Sequence, residues 1–311
     1  MLTPFELVGA APGPHLLVVG GVHGDEYEPM VACRRLRDEL DPATLRGRVT
    51  IVPCVNEPAF RRGARTADDG KDLARTCPGR ADGTITERLA DALSALIRRA
   101  DYFVDLHTGG VQYRLLPLAG YVLHVDPRVL DVQRRMARAF NLPVVWGTSP
   151  ELQGRSLSVA RDAGVPAIYA EYEGGAQCSE AGVQAYVDGC RSVMCELAML
   201  AEHSTPRATR VRYVVEDPRP QSGHLQINHP APLTGIFEPV VRLEQNVRAG
   251  DILGTIRDCA GTREAIIRAA RSGIVLMLPA LPRVVAGEAT AVVLEVEPLP
   301  TLTTRAGADR P

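Results

Sequence analysis

The stretch Gly20-Gly21-Val22-His23-Gly24-Asp25-Glu26-Tyr27-Glu28-Pro29 decides how the chain is read. It follows the apolar run Leu16-Leu17-Val18-Val19, which predicts a buried β-strand ending in a glycine turn. A strand that stops there presents the next residues at the carboxyl edge of a sheet, where α/β proteins bind their ligands. His23 and Glu26 form an H-x-x-E pair in that position. An imidazole and a carboxylate on one short turn suit Zn²⁺, which binds nitrogen and oxygen at about 2.0–2.2 Å. Two ligands do not make a site, and the candidate for the third is His107, in Val104-Asp105-Leu106-His107-Thr108-Gly109-Gly110. That stretch repeats the arrangement: an apolar strand from Tyr102 to Leu106, a polar tip, then glycines. His, Glu and His at two strand ends match the three-ligand set of catalytic zinc hydrolases, whose fourth position is left for water.

H-G-D-E after a strand, then D-L-H-T-G, then E-x-x-G-G at Glu171 to Gly175 resembles the succinylglutamate desuccinylase/aspartoacylase family, zinc-dependent amidohydrolases related to the zinc carboxypeptidases. The resemblance runs from about Leu16 to Leu200 and continues more weakly beyond. It implies an α/β fold, a zinc-carboxypeptidase-like mixed sheet flanked by helices, with one Zn²⁺ per chain on His23, Glu26 and His107. It aligns Glu171 with the family's catalytic glutamate, a general base that takes a proton from the water and hands it to the leaving amine. The family reads E-x-G-G-G, so Glu173 stands where its first glycine would be. Arg65 occupies the place of the arginine thought to stabilise the oxyanion, and Arg75 resembles the one that grips the substrate carboxylate. The family's D-L-N-R reads Asp72-Leu73-Ala74-Arg75 here, which removes one amide from carboxylate recognition. Arg62 and Arg155 are weaker substrate-binding candidates, with a solvated surface role as the competing reading. Asp105 could support His107 from the same strand face or simply cap the loop.

Function then reads as a zinc-dependent hydrolase cleaving the amide of a small N-acyl amino acid, of deacetylase or desuccinylase type. The alternatives are a metallocarboxypeptidase acting on a short peptide and a catalytically silent zinc-containing binding protein. A net charge of −2 leaves no electrostatic footprint for nucleic acid or an anionic membrane. Hydrophobic residues at 45% and charged residues at 23% are those of an ordinary globular protein. Lys71 is the sole lysine, so the positive charge is carried by arginine. The seven cysteines are odd in number and lack a C-x-x-C pair, which favours a reducing, cytoplasmic setting over a disulfide framework. No signal peptide or membrane span is read, and a homo-oligomer is neither required nor excluded.

Along the chain, helices are predicted at Glu28–Leu40, Thr86–Ala100 (capped by Thr84 or Thr86), Arg128–Phe140 and Gly182–Ala201. Strands are predicted at Gly47–Val55, Leu115–Val125, Val144-Val145 and within Val159–Glu173. The long polar segment from Asn56 to Gly79 follows a strand end and reads as a wall of the substrate site. The organisation expected is a catalytic domain at 1–203, a C-terminal all-β, barrel-sandwich-like domain at 204–300, and a tail at 301–311. His203 to Ser222 reads as a linker, and Arg263–Ala270 is the one possible helix in the C-terminal part. His124, His203, His224 and His229 lack partners at ligand spacing and read as structural or surface residues.

Overall fold

The computed structural model describes residues 2–201 and 208–296, so His203 and the tail at 301–311 lie outside the described residues. From the N-terminus come β1 (Phe5–Val8), β2 (Ala11–Val19), α1 (Tyr27–Glu39), β3 (Arg46–Val52) and α2 (Glu57–Arg62). A 3-10 turn at Leu73–Arg75 precedes α3 (Ile85–Ile97), β4 (Tyr102–His107), β5 (Tyr113–Val122) and α4 (Pro127–Phe140). Next are β6 (Val144–Thr148), α5 (Ser156–Ala163), β7 (Ala167–Gly174), α6 (Glu180–Glu196) and β8 (Tyr213–Glu216). A second 3-10 turn, Leu225–Ile227, leads into β9 (Gly235–Pro239), β10 (Asn246–Val247), β11 (Ile252–Arg257) and β12 (Glu264–Arg268). β13 (Gly273–Pro279), β14 (Arg283–Val284) and β15 (Val292–Leu294) follow.

The main sheet has the order β1-β3-β2-β4-β7-β5-β13-β10, with β6 and β15 pairing off β5 and β13, and β8 pairing β6. β2 runs parallel to β3 and β4, and β4 parallel to β7, while β5 returns antiparallel against β7. β9, β11, β12 and β14 form a separate four-stranded antiparallel sheet. The fold is thus a mixed α/β architecture with a central mixed sheet, helices on its faces and a C-terminal β-region. β13 hydrogen-bonds directly to β5, so the C-terminal part is joined to the main sheet by backbone pairing.

The uninterrupted apolar run of β2 is explained by burial on both faces, as in central parallel strands generally. Leu16 and Val18 pack with Cys33 and Leu36 of α1, Met136 and Phe140 of α4, and Tyr186 of α6. Leu17 and Val19 point the other way, onto Leu89, Leu93 and Ile97 of α3 and Leu157 of α5. α3 starts where Thr84 sits at its N-cap and Glu87 accepts from the Thr84 N–H at 2.8 Å.

Several local readings are corrected. Arg263–Ala270 holds strand β12, whose alternate side chains Glu264, Ile266 and Arg268 face solvent while Ile267 is buried. The presumed linker contains β8, which pairs parallel with β6, and β1 adds an antiparallel edge to β3. The long segment after β3 is ordered by α2, which Asn56 caps through Ala59 N–H at 3.2 Å, and by the first 3-10 turn. Asp69 ties it to α3, accepting from Thr86 N–H at 3.0 Å and Thr86 Oγ at 2.7 Å. Among the described residues no helix is long and apolar enough to cross a membrane.

Leu17 is fully buried, so Leu17→Ala should cost about 2–5 kcal/mol in denaturant unfolding. The half-exposed Ile266 should tolerate Ile266→Ala within about 0.5 kcal/mol. Burial is the largest single influence on Asp69 and opposes its charge, but the hydrogen bonds from Thr84, Thr86 and the Lys71 N–H together outweigh it and lower its carboxyl from 3.8 to about 2. A depressed folded pKa contributes stability above the unfolded value and loses it as pH falls through the folded one. Asp69→Asn should therefore be less stable than the parent at neutral pH, with the gap closing between 3.8 and about 2 in a pH series of thermal melts.

Candidate metal and catalytic site

Parallel pairing of β2 with β4, with Val19 opposite Asp105, brings the two strand ends side by side. The loop leaving β2 turns at Gly21, where φ is 64°, and passes α2 so closely that a Cβ on Gly24 would lie 2.1 Å from the Ala59 carbonyl carbon. Glycine at position 24 is therefore what lets His23 sit over the sheet edge while Glu26 takes the N-cap position of α1. His107 is the last residue of β4.

His23, Glu26 and His107 are all buried and offer ligand atoms that lie within 4.8 Å of one another. His23 Nδ1 is 2.7 Å from Glu26 Oε1, and His107 Nδ1 is 3.1 Å from Glu26 Oε2. Thr108 N–H also donates to Glu26 Oε2 at 3.1 Å. The outer nitrogens face carboxylates as well: His23 Nε2 is 3.2 Å from Asp72 Oδ1, and His107 Nε2 is 3.1 Å from Asp105 Oδ1. Asp105 in turn accepts from Ser156 Oγ, and the Tyr186 hydroxyl donates to the His107 carbonyl. Both imidazoles thus aim Nδ1 inward and have Nε2 held by a carboxylate, the arrangement that orients metal-binding histidines. Burial opposes charge on Glu26, yet the flanking histidines hold its carboxyl well below the usual range. Burial also opposes charge on His107, yet Asp105 and Glu26 raise it well above an ordinary histidine. This dry N, O, N donor set fits a divalent cation such as Zn²⁺.

Glu171 lies on β7 directly opposite His107 in the strand pairing. Burial pushes its carboxyl well above the ordinary range, with the His107 charge pulling the other way. Its Oε2 is buried and has no hydrogen-bond partner among the described residues. It borders a cavity of about 90 Å³ that also opens onto His23, Glu26 and His107. Roughly 10–15 Å³ on this measure admits one water, so the space suits a ligand of amino-acid size.

The arginine candidates separate. Arg65 reaches Asp72 at 3.0 Å and lies 3.7 Å from Glu26, beside the trio. Arg75 and Arg155 both line the cavity. Arg155 is therefore not the surface arginine of the competing reading. Arg62 is outside the cavity lining and pairs with Asp68 on the surface of α2, so its expected substrate contact is corrected. Glu173 is exposed, turns at φ 43° and borders no part of the cavity.

Sequence reasoning missed two groups. Asp72 bridges His23 and Arg65, and those contacts outweigh its burial to hold its carboxyl well below the usual range. Its only signal was its place beside Leu73-Ala74-Arg75. Gly223, Leu225, Gln226 and Met277, all from the C-terminal part, also line the cavity. Nothing local in the sequence ties Gln226 to Arg75, 151 residues earlier.

A relative in Halomonas elongata, named N-alpha-acetyl-L-2,4-diaminobutyric acid deacetylase, is 29% identical over 95% of this chain and 86% of its own. The crystal structure of a succinylglutamate desuccinylase/aspartoacylase from Rhodobacter sphaeroides superposes with a TM-score of 0.85 at 29% identity, over 95% of this chain and 90% of that one. The product-bound ectoine utilization protein of Ruegeria pomeroyi gives 0.84 at 29% identity, over 93% and 87% of the two chains. The model of the succinylglutamate desuccinylase/aspartoacylase catalytic domain matches residues 12–197, and the chain belongs to that family.

Proposed function

We propose that this protein is an amidohydrolase that cleaves a small N-acyl amino acid into a carboxylate and a free amine, with one Zn²⁺ held by His23, Glu26 and His107. The observation that carries the reading is Glu171: a buried carboxyl with an unpartnered oxygen on the cavity wall, opposite the His–Glu–His trio. When bound there, the cation supplies Lewis acidity, polarising the acyl carbonyl and lowering the pKa of water toward neutrality. Glu171 takes the proton from the attacking water and delivers it to the departing amine. Its raised proton affinity favours the delivery step. Arg65, kept in place by Asp72, is the fixed cation that steadies negative charge on the carbonyl oxygen. Arg75 and Arg155 take the substrate carboxylate.

The small cavity, walled by Leu225, Gln226 and Met277, supports an amino-acid-sized substrate over a peptide. The named activity of the Halomonas elongata relative points the same way, toward deacetylation of an N-acetylated amino acid. A silent binding protein has Ala74 as its only support, whereas a proton-carrying glutamate beside a metal-ready trio serves no purpose in mere binding.

A panel of N-acetyl and N-succinyl amino acids offered to the zinc-loaded protein should release free amine from at least one member. Glu171→Gln should lower kcat on that substrate by about 10²–10⁴-fold while the protein still binds zinc. Full turnover in Glu171→Gln would remove Glu171 from the chemistry, and a flat panel would remove this substrate class.

A further inference from the structure

The three cavity arginines are held in two different ways. Arg65 is answered by carboxylates within the chain, Asp72 at 3.0 Å and Glu26 at 3.7 Å. Arg75 and Arg155 form no ion pair among the described residues. Their donors go to neutral oxygens instead. Arg75 Nη1 donates to the Ala74 carbonyl at 2.8 Å and Arg75 Nη2 to Gln226 Oε1 at 3.0 Å. Arg155 Nη1 donates to the Gly223 carbonyl at 3.1 Å, and its buried Nε has no partner among the described residues. A neutral acceptor fixes a guanidinium in space but leaves its charge unspent. Two partly desolvated like charges facing one cavity repel each other: burial first, and then Arg75, bring Arg155 down to about 10. Such a pair is stabilised by an anion from outside, and planar forks suit a carboxylate.

Two of these three neutral acceptors, the Gly223 carbonyl and Gln226 Oε1, belong to one short segment. Gly223 has φ of 79°, and a Cβ there would lie 2.8 Å from the Thr148 Cβ, so glycine is what allows its carbonyl to face Arg155. Three residues on, in the 3-10 turn, Gln226 turns its side chain to Arg75. Its amide nitrogen makes no hydrogen bond among the described residues and remains a donor beside the cavity.

We propose that Gly223–Gln226 is the specificity element of the site, with Gln226 the positioning residue that holds Arg75 without neutralising it, so that Arg75 and Arg155 together select a substrate bearing a free carboxylate. The inference rests on the N-acyl amino acid reading for the identity of the ligand. Glutamate at 226 would place an anion where the substrate's carboxylate has to supply one, and alanine would free the Arg75 fork.

Calorimetric titration of the zinc-loaded Glu171→Gln protein, which binds without turnover, with N-acetyl-L-2,4-diaminobutyrate and with its C-terminal carboxamide tests this, in that parent and with Gln226→Ala or Gln226→Glu added. The parent should bind the acid at least about tenfold more tightly than the carboxamide, since only the acid makes charge-assisted bonds to both arginines. Gln226→Ala should lose most of that preference and Gln226→Glu all of it, with carboxamide affinity unchanged in both. The proposal is overturned if the parent binds neither ligand or shows no preference. It is equally overturned if the variants keep the preference, or lose affinity for acid and carboxamide alike, as a merely structural residue would cause. Selective binding of the acid by a protein that hydrolyses no member of the N-acyl panel would leave this inference standing and sink the amidohydrolase reading.

Discussion

One buried carboxylate organises the centre of this protein. Glu26 is almost fully removed from water, and an isolated ionised group in that position would shift its pKa and neutralise instead. It stays ionised because His23 and His107 face its two oxygens and the Thr108 N–H adds a third contact. The rest of the site follows from keeping that arrangement. β2 must end beside β4, Gly24 must lack a side chain to pass α2, and Asp72 and Asp105 must hold the far nitrogens of the two imidazoles. A dication held by His23, Glu26 and His107 would meet the Glu26 charge directly, with the Asp72 and Asp105 carboxyls behind the two imidazoles.

Charge is distributed unevenly around the cavity, and the unevenness has a use. Arg65 is locked to Asp72 on the metal side, where a fixed cation is useful whatever the substrate. Arg75 and Arg155 are steadied by hydrogen bonds to neutral oxygens instead. Glu171 borders the same cavity, with its proton affinity raised by burial. Preorganised charges in a water-poor cavity are worth far more than the same charges in solution.

The strand ends carrying the trio were legible in the sequence because each couples an unbroken apolar run to polar residues and glycines. β2 and β4 had to be central strands, and their tips had to be adjacent for His23, Glu26 and His107 to share one place. The correlation fails where partners are distant or patterns are ambiguous. Glu264-Ala265-Ile266-Ile267-Arg268 has the composition of a short helix, but pairing with β11 fixes it as a strand with one face in solvent. β1 and β8 are short edges whose pairing with β3 and β6 leaves little local signal. Gln226 could not be foreseen, since its role exists only once the C-terminal part folds over Arg75. Arg62 and Arg155 looked alike as surface arginines, and only the fold separates an exposed ion pair on α2 from a half-buried fork on the cavity wall.

The account stands most directly on zinc dependence. Protein stripped by a chelator and titrated with Zn²⁺ should recover amine release from an N-acyl amino acid in proportion to added metal, with the rise ending at one equivalent per chain. The same titration of His107→Ala should show no such break. Full activity in the stripped protein, or an activity that ignores the loss of His107, would contradict it.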